Sequence, residues 1–269
     1  MTPDLLNKLR NEVWCIEPSY LETYLASIGQ TETLANLSSL SELNAANGQN
    51  GLLEVHGETA VINVSGVVGK RLGFFEKLMG GTDYDEVSSA LAEANMRDDV
   101  RNVVLHLDTP GGGGIGLPEV AAEVAQSQKP VYAFTDSMMA SAGYWIGSQA
   151  QAVYSTPSAK VGSIGAVIVH QDVSGFLERM GIKTKAFFKG THKIDGASFK
   201  PLTKAEETAL KERIEVVYGI FIEAVKAARK SKVNSEVFES RIYDGNEALN
   251  LGLTDGHVSG LPQLLEMIG

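Results

Sequence analysis

Apolar runs of strand length alternate with segments of helical periodicity along most of the chain. Runs rich in Val, Ile, Leu and aromatic residues predict β-strands at 59–66, 101–108, 129–135 and 152–157. The apolar spacing between them predicts helices at about 83–95, at 117–127 and from about residue 141. Because such alternation is typical of strands joined by crossover helices, we expect an α/β fold with largely parallel sheets.

The second half of the chain adds two strand-like runs and a long helix. The runs at 162–170 and 182–190 flank a segment of helical periodicity. The sequence TKAE at 203–206 is a capping-box pattern and predicts the start of a helix that continues to about Lys230. One face of this helix carries its apolar positions, Leu210, Ile214, Val217, Phe221 and Val225. We expect that face to pack on the core or to form an interface.

The N-terminal residues predict a short helical appendage. Between residues 4 and 29 the pattern indicates two amphipathic helices separated at Pro18, and Val13 and Trp14 fall on the apolar face of the first. The segment 38–51 is rich in Ser, Asn and Gly and predicts a linker. We therefore expect a helical appendage with its linker at residues 1–50 and the main domain at residues 51–269.

Composition and charge exclude several classes of protein. The chain has 269 residues, of which 43% are hydrophobic, and is expected to fold as a soluble protein with a substantial core. A net charge of -10 argues against a nucleic-acid partner, which would require a basic surface. No apolar run approaches the roughly 20 residues of a membrane-spanning helix, and the charged N-terminal residues argue against a secretion signal. A polypeptide or neutral substrate suits this chain better.

The single cysteine, Cys15, limits covalent and metal chemistry. One cysteine can form neither an intrachain disulfide nor a cysteine metal cluster, so a reducing compartment such as the cytoplasm is expected. A packed, inert thiol is the simpler interpretation of Cys15, and a nucleophilic thiol is the alternative.

The glycine run in DTPGGGG at 108–114 follows a predicted strand and precedes a predicted helix. Its residues allow a ligand to approach the backbone N–H groups closely. The run lacks the Lys-Ser/Thr ending of a phosphate-binding P-loop. Backbone N–H groups that stabilise a developing oxyanion are a second interpretation, and a plain glycine turn is a third.

Ser141, in the sequence DSMMASAGYW at 136–145, is a candidate nucleophile at the start of a predicted helix. The small neighbours Ala140, Ala142 and Gly143 would leave room for a substrate carbonyl. The Gly-x-Ser-x-Gly pattern of a nucleophile elbow is only half met, because Met139 takes the first glycine position. The local pattern alone favours a helix-capping serine over a nucleophile.

Two adjacent residues in GTHKIDG at 190–196 could serve Ser141 as a base. A Ser-His-Asp arrangement would use His192 with Asp195 or Asp172, whereas a Ser-Lys pair would use Lys193. The residues by themselves do not choose between these arrangements.

Five sequence blocks, in order, resemble the signal peptide peptidase A family of serine proteases over about residues 59–260. The blocks are LDTPGGGG, MMASAGYWIGSQA, STPSAKVGSIGAV, GTHKIDGASFKPLTKAE and RIYDGNEALNLGLTDG. The resemblance implies a fold of the ClpP/crotonase type, with Ser141 as nucleophile, Lys193 as general base, and no metal or organic cofactor. It also implies an oxyanion hole formed by the backbone of Gly111, Gly112, Gly113 and Ala142. Ser163 would support the lysine amine or simply form a turn.

The N-terminal sequence VWCIEPSYLETYLASIG resembles the start of the phage branch of this family, the head-maturation or capsid-assembly proteases. Such proteases often continue into a C-terminal scaffold portion, which does not follow LPQLLEMIG here. The implied function is that of a phage prohead protease, acting on capsid or scaffold proteins in the host cytoplasm or procapsid. The alternatives are a cytoplasmic bacterial peptide-degrading relative and a catalytically silent capsid assembly scaffold. An acyl-CoA enzyme of the crotonase type is disfavoured, since it would not require the Ser/Lys pair.

The resemblance also implies how substrate binds and how subunits assemble. A polypeptide is expected to add as an extended strand to unpaired backbone groups at the glycine-rich edge after residue 108, with small or aliphatic residues before the scissile bond. A ring-like homo-oligomer is expected, in which neighbouring subunits share active sites.

Overall fold

Parallel strands form the centre of the molecule. The structure is a computed structural model and describes residues 12–21, 24 and 52–269. The strands are β1 (Trp14–Ile16), β2 (Leu53–His56), β3 (Thr59–Ser65), β4 (Val68–Gly69), β5 (Thr82–Asp83), β6 (Asn102–Asp108), β7 (Gly111–Gly113), β8 (Val131–Thr135), β9 (Met138–Ala140), β10 (Ala152–Ser155), β11 (Lys160–Gly162), β12 (Ile242–Asp244) and β13 (Gly256–His257).

The helices connect these strands and cover the largest sheet. They are α1 (Phe74–Leu78), α2 (Tyr84–Met96), α3 (Leu117–Ala125), α4 (Ala142–Ser148), α5 (Ser174–Arg179), α6 (Lys204–Arg229), α7 (Gly245–Asn250) and α8 (Leu261–Ile268). None of the helices in the described part of the chain is long and apolar enough to cross a membrane.

The largest sheet has the strand order β13-β10-β8-β6-β3-β2, and all its pairs are parallel except β2 with β3. Strand β6 shows why the sheet lies between two layers. Val103 and Leu105 point into the main core, whereas Val104 joins a smaller cluster with Leu264 of α8. Successive side chains on a strand face opposite sides, so an almost continuous apolar run is buried on both faces.

Two smaller sheets carry the segments around the candidate nucleophile. One has the order β1-β7-β4-β5, with β1 antiparallel to β7 and the other pairs parallel. The other has the order β12-β11-β9, with β11 parallel to β9 and antiparallel to β12. Strands β7 and β9 each precede a helix that packs into the core, and Gly111, the first residue of β7, lies against Ser141, which follows β9.

Most elements expected from periodicity are confirmed, as is the α/β class with largely parallel sheets. The strands β3, β6, β8 and β10 and the helices α2, α3 and α4 begin within a few residues of their predicted positions. The capping box is also present: Thr203 accepts from the Glu206 N–H, and the Glu206 carboxylate accepts from the Thr203 N–H. The helix that it starts buries Phe221 against Trp145, with ring centroids 4.5 Å apart.

The predicted helix through Val13 and Trp14 is wrong. Residues 14–16 instead form β1, whose buried side chains pack while its backbone pairs with β7. Pairing with a distant strand therefore overrides the local helical spacing, which is only a weak preference. The chain then enters a helix at Pro18, since residues 18–21 and 24 are helical. The linker at 38–51, with most of the predicted N-terminal helices, lies outside the described residues.

The predicted strand at 182–190 is also wrong, and the one at 162–170 is mostly so. Residues 183–188 have no regular secondary structure, and every residue from 181 to 193 is exposed. A segment with alternating apolar and polar residues forms a strand only where a neighbouring strand supplies hydrogen bonds to its backbone. Residues 182–190 pair with no described strand. In the other run, β11 ends at Gly162, and Val167 forms an isolated bridge with Trp14.

A buried ion pair fastens the C-terminal end of α6 to the large sheet. The side chain of Arg229 is 2% exposed, and its Nη1 lies 2.6 Å from Oδ2 of Asp255. Its Nε and Nη2 donate to the carbonyl of Gly252. The same carboxylate accepts from the Val153 N–H on β10, so one aspartate joins the helix end to the sheet.

We expect Arg229→Ala to lower the free energy of unfolding by about 3 kcal/mol, because it leaves the Asp255 carboxylate without its buried partner. Urea denaturation measures this change. The matched control is Lys226→Ala on the same helix, because the Lys226 side chain is exposed and makes only surface contacts, a salt bridge to Glu223 and a cation–π contact with the Phe238 ring, among the described residues. Equal effects of the two substitutions would contradict a stabilising role for the buried pair.

Candidate active site

Ser141 occupies a strained turn between β9 and α4. Its φ of 52° and ψ of -114° lie in a region that side chains other than glycine rarely adopt. Two backbone hydrogen bonds hold this conformation: Ser141 N–H donates to the Gly162 carbonyl at 2.8 Å, and Trp145 N–H donates to the Ser141 carbonyl at 2.9 Å. The surrounding strand and helix therefore impose the turn.

The hydroxyl of Ser141 is buried and has no hydrogen-bond partner in the part of the chain that the structure describes. The residue is 0% exposed, and Oγ makes no hydrogen bond to any described residue. Although Ser141 stands at the N-cap position of α4, its side chain forms no capping hydrogen bond. The helix-cap interpretation favoured by the local pattern is therefore wrong. An unpaired polar group in a folded core requires another explanation, and a reactive group held for a substrate is one.

The glycine run forms strand β7 directly beside Ser141. A Cβ placed on Gly111 would lie 2.2 Å from the Cys15 carbonyl oxygen, 2.9 Å from Cβ of Ser141 and 3.0 Å from the Ala142 nitrogen. Gly111 has a φ of 100°, so both its conformation and its surroundings require glycine. Backbone atoms from three segments therefore approach each other here without intervening side chains.

Gly112 and Gly113 have other neighbours. A Cβ on Gly112 would lie 1.7 Å from the Val68 carbonyl oxygen, and one on Gly113 would lie 2.3 Å from a carboxylate oxygen of Glu12. The structure thus brings Gly111 and Ala142 next to Ser141, whereas Gly112 and Gly113 serve close packing along the strand.

Thr109, which the sequence analysis did not single out, positions the glycine turn. Its buried Oγ1 donates to the Gly66 carbonyl at 2.6 Å and accepts from the Gly111 N–H at 3.0 Å. Its backbone pairs with Met138 and Ala140 on the strand that leads to Ser141. A threonine between an aspartate and a proline carries no catalytic signature, so only the fold reveals this role.

The small residue Gly143 does not clear space for a substrate, contrary to the expectation from the sequence. A Cβ at this position would lie 2.3 Å from the Cγ2 methyl of Thr109. Gly143 therefore lets α4 pack tightly against the segment before β7.

Both edges of β7 are paired, so neither is free to receive the substrate strand that the sequence analysis predicts there. Strand β4 pairs with one side of β7, and β1 pairs antiparallel with the other. The chain's own N-terminal segment, which had been expected to be helical, supplies the second partner.

Ser163 lies close to Ser141 and shares its unusual backbone. It follows Gly162, whose carbonyl accepts from the Ser141 N–H, and it has a φ of 56°. Its own N–H donates to the Arg241 carbonyl at 2.7 Å, and the residue is 3% exposed. The structure therefore places this predicted supporting residue in the same buried region as the candidate nucleophile, Ser141.

Lys193 lies on an exposed arm, which we define as residues 171–200. The Lys193 side chain is exposed, and its N–H donates to the Gly190 carbonyl at 3.2 Å. Because Oγ of Ser141 has no described hydrogen-bond partner, Lys193 and Ser141 do not form a hydrogen bond in this chain. The arm also exposes large apolar side chains: Phe176, Met180, Ile182, Phe187 and Phe188.

The alternative base, His192, is paired with its own neighbour. Its Nδ1 lies 2.7 Å from Oδ2 of Asp195, and its side chain is 85% exposed. Asp172 is used elsewhere, because its carboxylate accepts from the Ser174 N–H at the start of α5. Hydrogen bonds from Ser174 lower the pKa of Asp172. A His192–Asp195 pair therefore exists, but it does not hydrogen-bond to Ser141.

Glu206 fastens the base of the arm to α6. One oxygen accepts from the Gly196 N–H and from Nζ of Lys200, and the other accepts from the Thr203 N–H at 2.7 Å. The hydrogen bond from Lys200, followed by those from Thr203 and Gly196, lowers the pKa of Glu206 from 4.5 to about 2. The carboxylate thus stays ionised over a wide pH range and holds the loop that carries Lys193.

Cys15 and the other potential reactive groups near the site show no sign of catalytic or metal-binding chemistry among the described residues. Burial raises the pKa of the Cys15 thiol to about 12, with a smaller contribution from the Glu12 carboxylate, so the thiol stays protonated. No group of three or more His, Cys, Asp or Glu side chains suited to hold a metal ion occurs within the described residues.

A family model described as Peptidase family S49 matches residues 123–263, which is more than half of the chain. That range includes Ser141, Ser163 and Lys193 and begins after the glycine run.

Three curated relatives are similar to the chain. Capsid assembly protease C of Escherichia phage lambda is 26% identical over 98% of this chain and 65% of its own length. The head-tail preconnector protein of Enterobacteria phage P21 is 27% identical over 91% of this chain and 53% of its own length. A protein of Enterococcus faecium named for signal peptide peptidase SppA is 32% identical over 58% of this chain and 47% of its own length. The chain therefore spans between about half and two thirds of the length of these relatives.

We expect the stabilisation that Glu206 provides to disappear in acid. Since its pKa is lower in the folded chain than the ordinary 4.5, the contribution is complete above about pH 4.5 and is lost as the pH falls towards 2. Denaturant unfolding of the wild type and Glu206→Gln should therefore show a difference in unfolding free energy that shrinks over this interval. Glu207→Gln, a change at the exposed neighbouring position, is the matched control. A difference for Glu206→Gln that stays constant from pH 4.5 to 2 would contradict this role.

Proposed function

The chain belongs to peptidase family S49, and on this premise we propose that it is a serine endopeptidase with Ser141 as nucleophile and Lys193 as general base. The observation that carries the proposal is the hydroxyl of Ser141, which is buried without a partner on a strained turn beside the glycine strand. Strain of this kind costs about 1–3 kcal/mol, and it persists where a function depends on the position of the side chain.

The reaction uses groups that this chain itself supplies. The neutral Lys193 amine accepts the Ser141 proton as Oγ bonds to the substrate carbonyl carbon, and it returns a proton to the amine that leaves when the C–N bond breaks. Water then attacks the acyl ester as the Lys193 amine accepts one of its protons, and that proton passes to Oγ of Ser141 as the ester C–O bond breaks. The Ala142 N–H and the backbone of Gly111, the glycine that lies against Ser141, stabilise the oxyanion. Ser163 positions the lysine amine.

Assembly into a ring is the proposed way in which Lys193 reaches Ser141. The lysine is exposed on an apolar arm, whereas the serine is buried, so the two are not joined in a single chain. A second copy of the chain that packs on the exposed phenylalanines would bury the arm and could insert its lysine beside a neighbour's serine. Burial would also favour the neutral amine that catalysis requires.

The proposed biological role is that of a phage prohead protease. The relatives named as a capsid assembly protease and a head-tail preconnector protein support this role, and each aligns with more than nine tenths of this chain. The substrates would be capsid or scaffold polypeptides in the host cytoplasm or the procapsid interior, with no nucleic-acid or membrane partner.

We expect Ser141→Ala and Lys193→Ala to reduce cleavage of an unfolded polypeptide such as casein by on the order of 10⁴-fold or more. Lys193→Arg should be equally inactive, because a guanidinium does not give up its proton in a protein. His192→Ala should retain most of the activity and is the matched control in the same loop. Labelling by a fluorophosphonate should require Ser141. An active Lys193→Ala with an inactive His192→Ala would contradict the lysine assignment, and assembled wild type that is never labelled would indicate a silent scaffold.

We expect a mixture of Ser141→Ala and Lys193→Ala subunits to recover activity if the site is shared. Some junctions in a mixed oligomer pair an intact serine with an intact lysine, although each variant alone is inactive. Native mass spectrometry verifies mixing, and casein cleavage measures recovery. Verified mixed oligomers without activity would remove the shared site and would leave the Ser-Lys mechanism standing.

A further inference from the structure

Strand β1 lies between two other segments of backbone beside Ser141. On one side, Trp14, Cys15 and Ile16 pair antiparallel with Gly113, Gly112 and Gly111. On the other side, Trp14 exchanges two hydrogen bonds with Val167, of 2.8 and 2.9 Å. This segment of three residues is therefore held as an extended strand along one edge and at Trp14 on the other, a backbone pairing like that by which strand addition holds a peptide.

The backbone of β1 reaches the candidate nucleophile. A Cβ built on Gly111 would lie 2.2 Å from the Cys15 carbonyl oxygen, 2.9 Å from Cβ of Ser141 and 3.0 Å from the Ala142 nitrogen. Gly111 contributes no side chain between them, so a peptide carbonyl of the N-terminal segment stands next to the serine.

The side chains of β1 alternate between two apolar environments. Trp14 and Ile16 join a cluster with Leu21, against which Val67 and Val167 pack, whereas Cys15 points into the main core and is 0% exposed. The groove around β1 thus accepts bulky apolar side chains at two positions and a small one between them.

The order of the sheet shows that β1 can leave while the other strands stay paired. In the order β1-β7-β4-β5, β1 is the terminal strand, so its departure breaks no pair between other strands. It would uncover the edge of β7, and it would open a route to a serine that is otherwise 0% exposed. Strand β4 is a poorer candidate, because it pairs with both β7 and β5.

We propose that β1 occupies the binding groove of the substrate polypeptide, and that a substrate segment binds by displacing β1 and pairing with β7 and Val167 in its place. The preferred segment is extended, with a small residue flanked by large apolar ones. The proposal rests on the proposed peptidase function for the consequence of displacement, but the binding itself requires no catalysis.

A reversible crosslink tests whether β1 must leave. Trp14 and Val167 are a hydrogen-bonded antiparallel pair, for which Cα atoms lie about 5.5 Å apart, within the range that a disulfide spans. We would introduce Trp14→Cys and Val167→Cys together with Cys15→Ala and Ser141→Ala, and measure binding of a fluorescein-labelled peptide EVWAIEP, the sequence of residues 12–18 with Cys15→Ala, which has no thiol to react on oxidation. The reduced protein should bind it, and oxidation should weaken binding by about tenfold or more, because the bound state requires an empty groove.

The controls separate this proposal from the proposed function. Val167→Cys with Cys15→Ala and Ser141→Ala can form no internal disulfide, so its binding should not respond to oxidation. The double-cysteine protein with Ser141 intact reports casein cleavage and fluorophosphonate labelling in the reduced state. Equal peptide binding by the oxidised and reduced forms overturns the proposal about β1, whatever the activity. Redox-dependent binding without cleavage or labelling supports it and overturns the peptidase.

A second variant separates the proposal from a purely structural role of β1, because the two predict opposite changes in peptide binding. Trp14→Ala weakens the packing of β1, so it should increase peptide binding by about tenfold if β1 competes with the peptide. If β1 is a permanent strand that builds the site, the same substitution should reduce peptide binding. The thermal unfolding midpoint of Trp14→Ala verifies that the protein is folded at the temperature of the measurement, and reduced binding by folded protein overturns the proposal.

Discussion

The close approach of backbone to backbone at the glycine strand β7 is the constraint on which the site depends. Carbonyl oxygens of Cys15 and Val68 lie where side chains of Gly111 and Gly112 would stand, and Ser141 lies against the first of these glycines. Any side chain there would separate the strands and move the turn that holds the serine. The glycine run therefore does more than present N–H groups, since it allows three segments to meet.

This packing explains why the candidate nucleophile and the candidate base differ in their surroundings. Ser141 is fixed by backbone hydrogen bonds to strands and a helix of the core. Lys193 lies on an arm whose residues 181–193 are all exposed, and Glu206 holds the arm only at its base. In the proposed shared site, the serine would stay fixed in its own chain, and the exposed arm would be free to pack on a neighbour.

Much of the fold was predictable because strands such as β6 and helices such as α6 carry their own periodicity. Ser141 was identified as a candidate from its position at a strand-to-helix junction, but the local pattern favoured a helix cap. The difference lies in the φ of 52° and in the lack of a hydrogen-bond partner for Oγ among the described residues. The backbone conformation depends on the hydrogen bond from the Ser141 N–H to the Gly162 carbonyl and on the one from the Trp145 N–H to the Ser141 carbonyl. Thr109 was missed for the same reason, since its role depends on Gly66 and Gly111 together.

The sequence by itself determined the α/β class, the capping box at Thr203 and the set of candidate reactive groups, because periodicity and residue chemistry act within short windows. Only the tertiary structure decided that residues 14–16 form a strand, that this strand pairs with the glycine strand beside Ser141, and that residues 182–190 have no described strand to pair with. A strand exists only with a partner, and the partner of β1 lies far away in the chain. Which distant surfaces meet is a property of the packed fold, and no local pattern of residues encodes it.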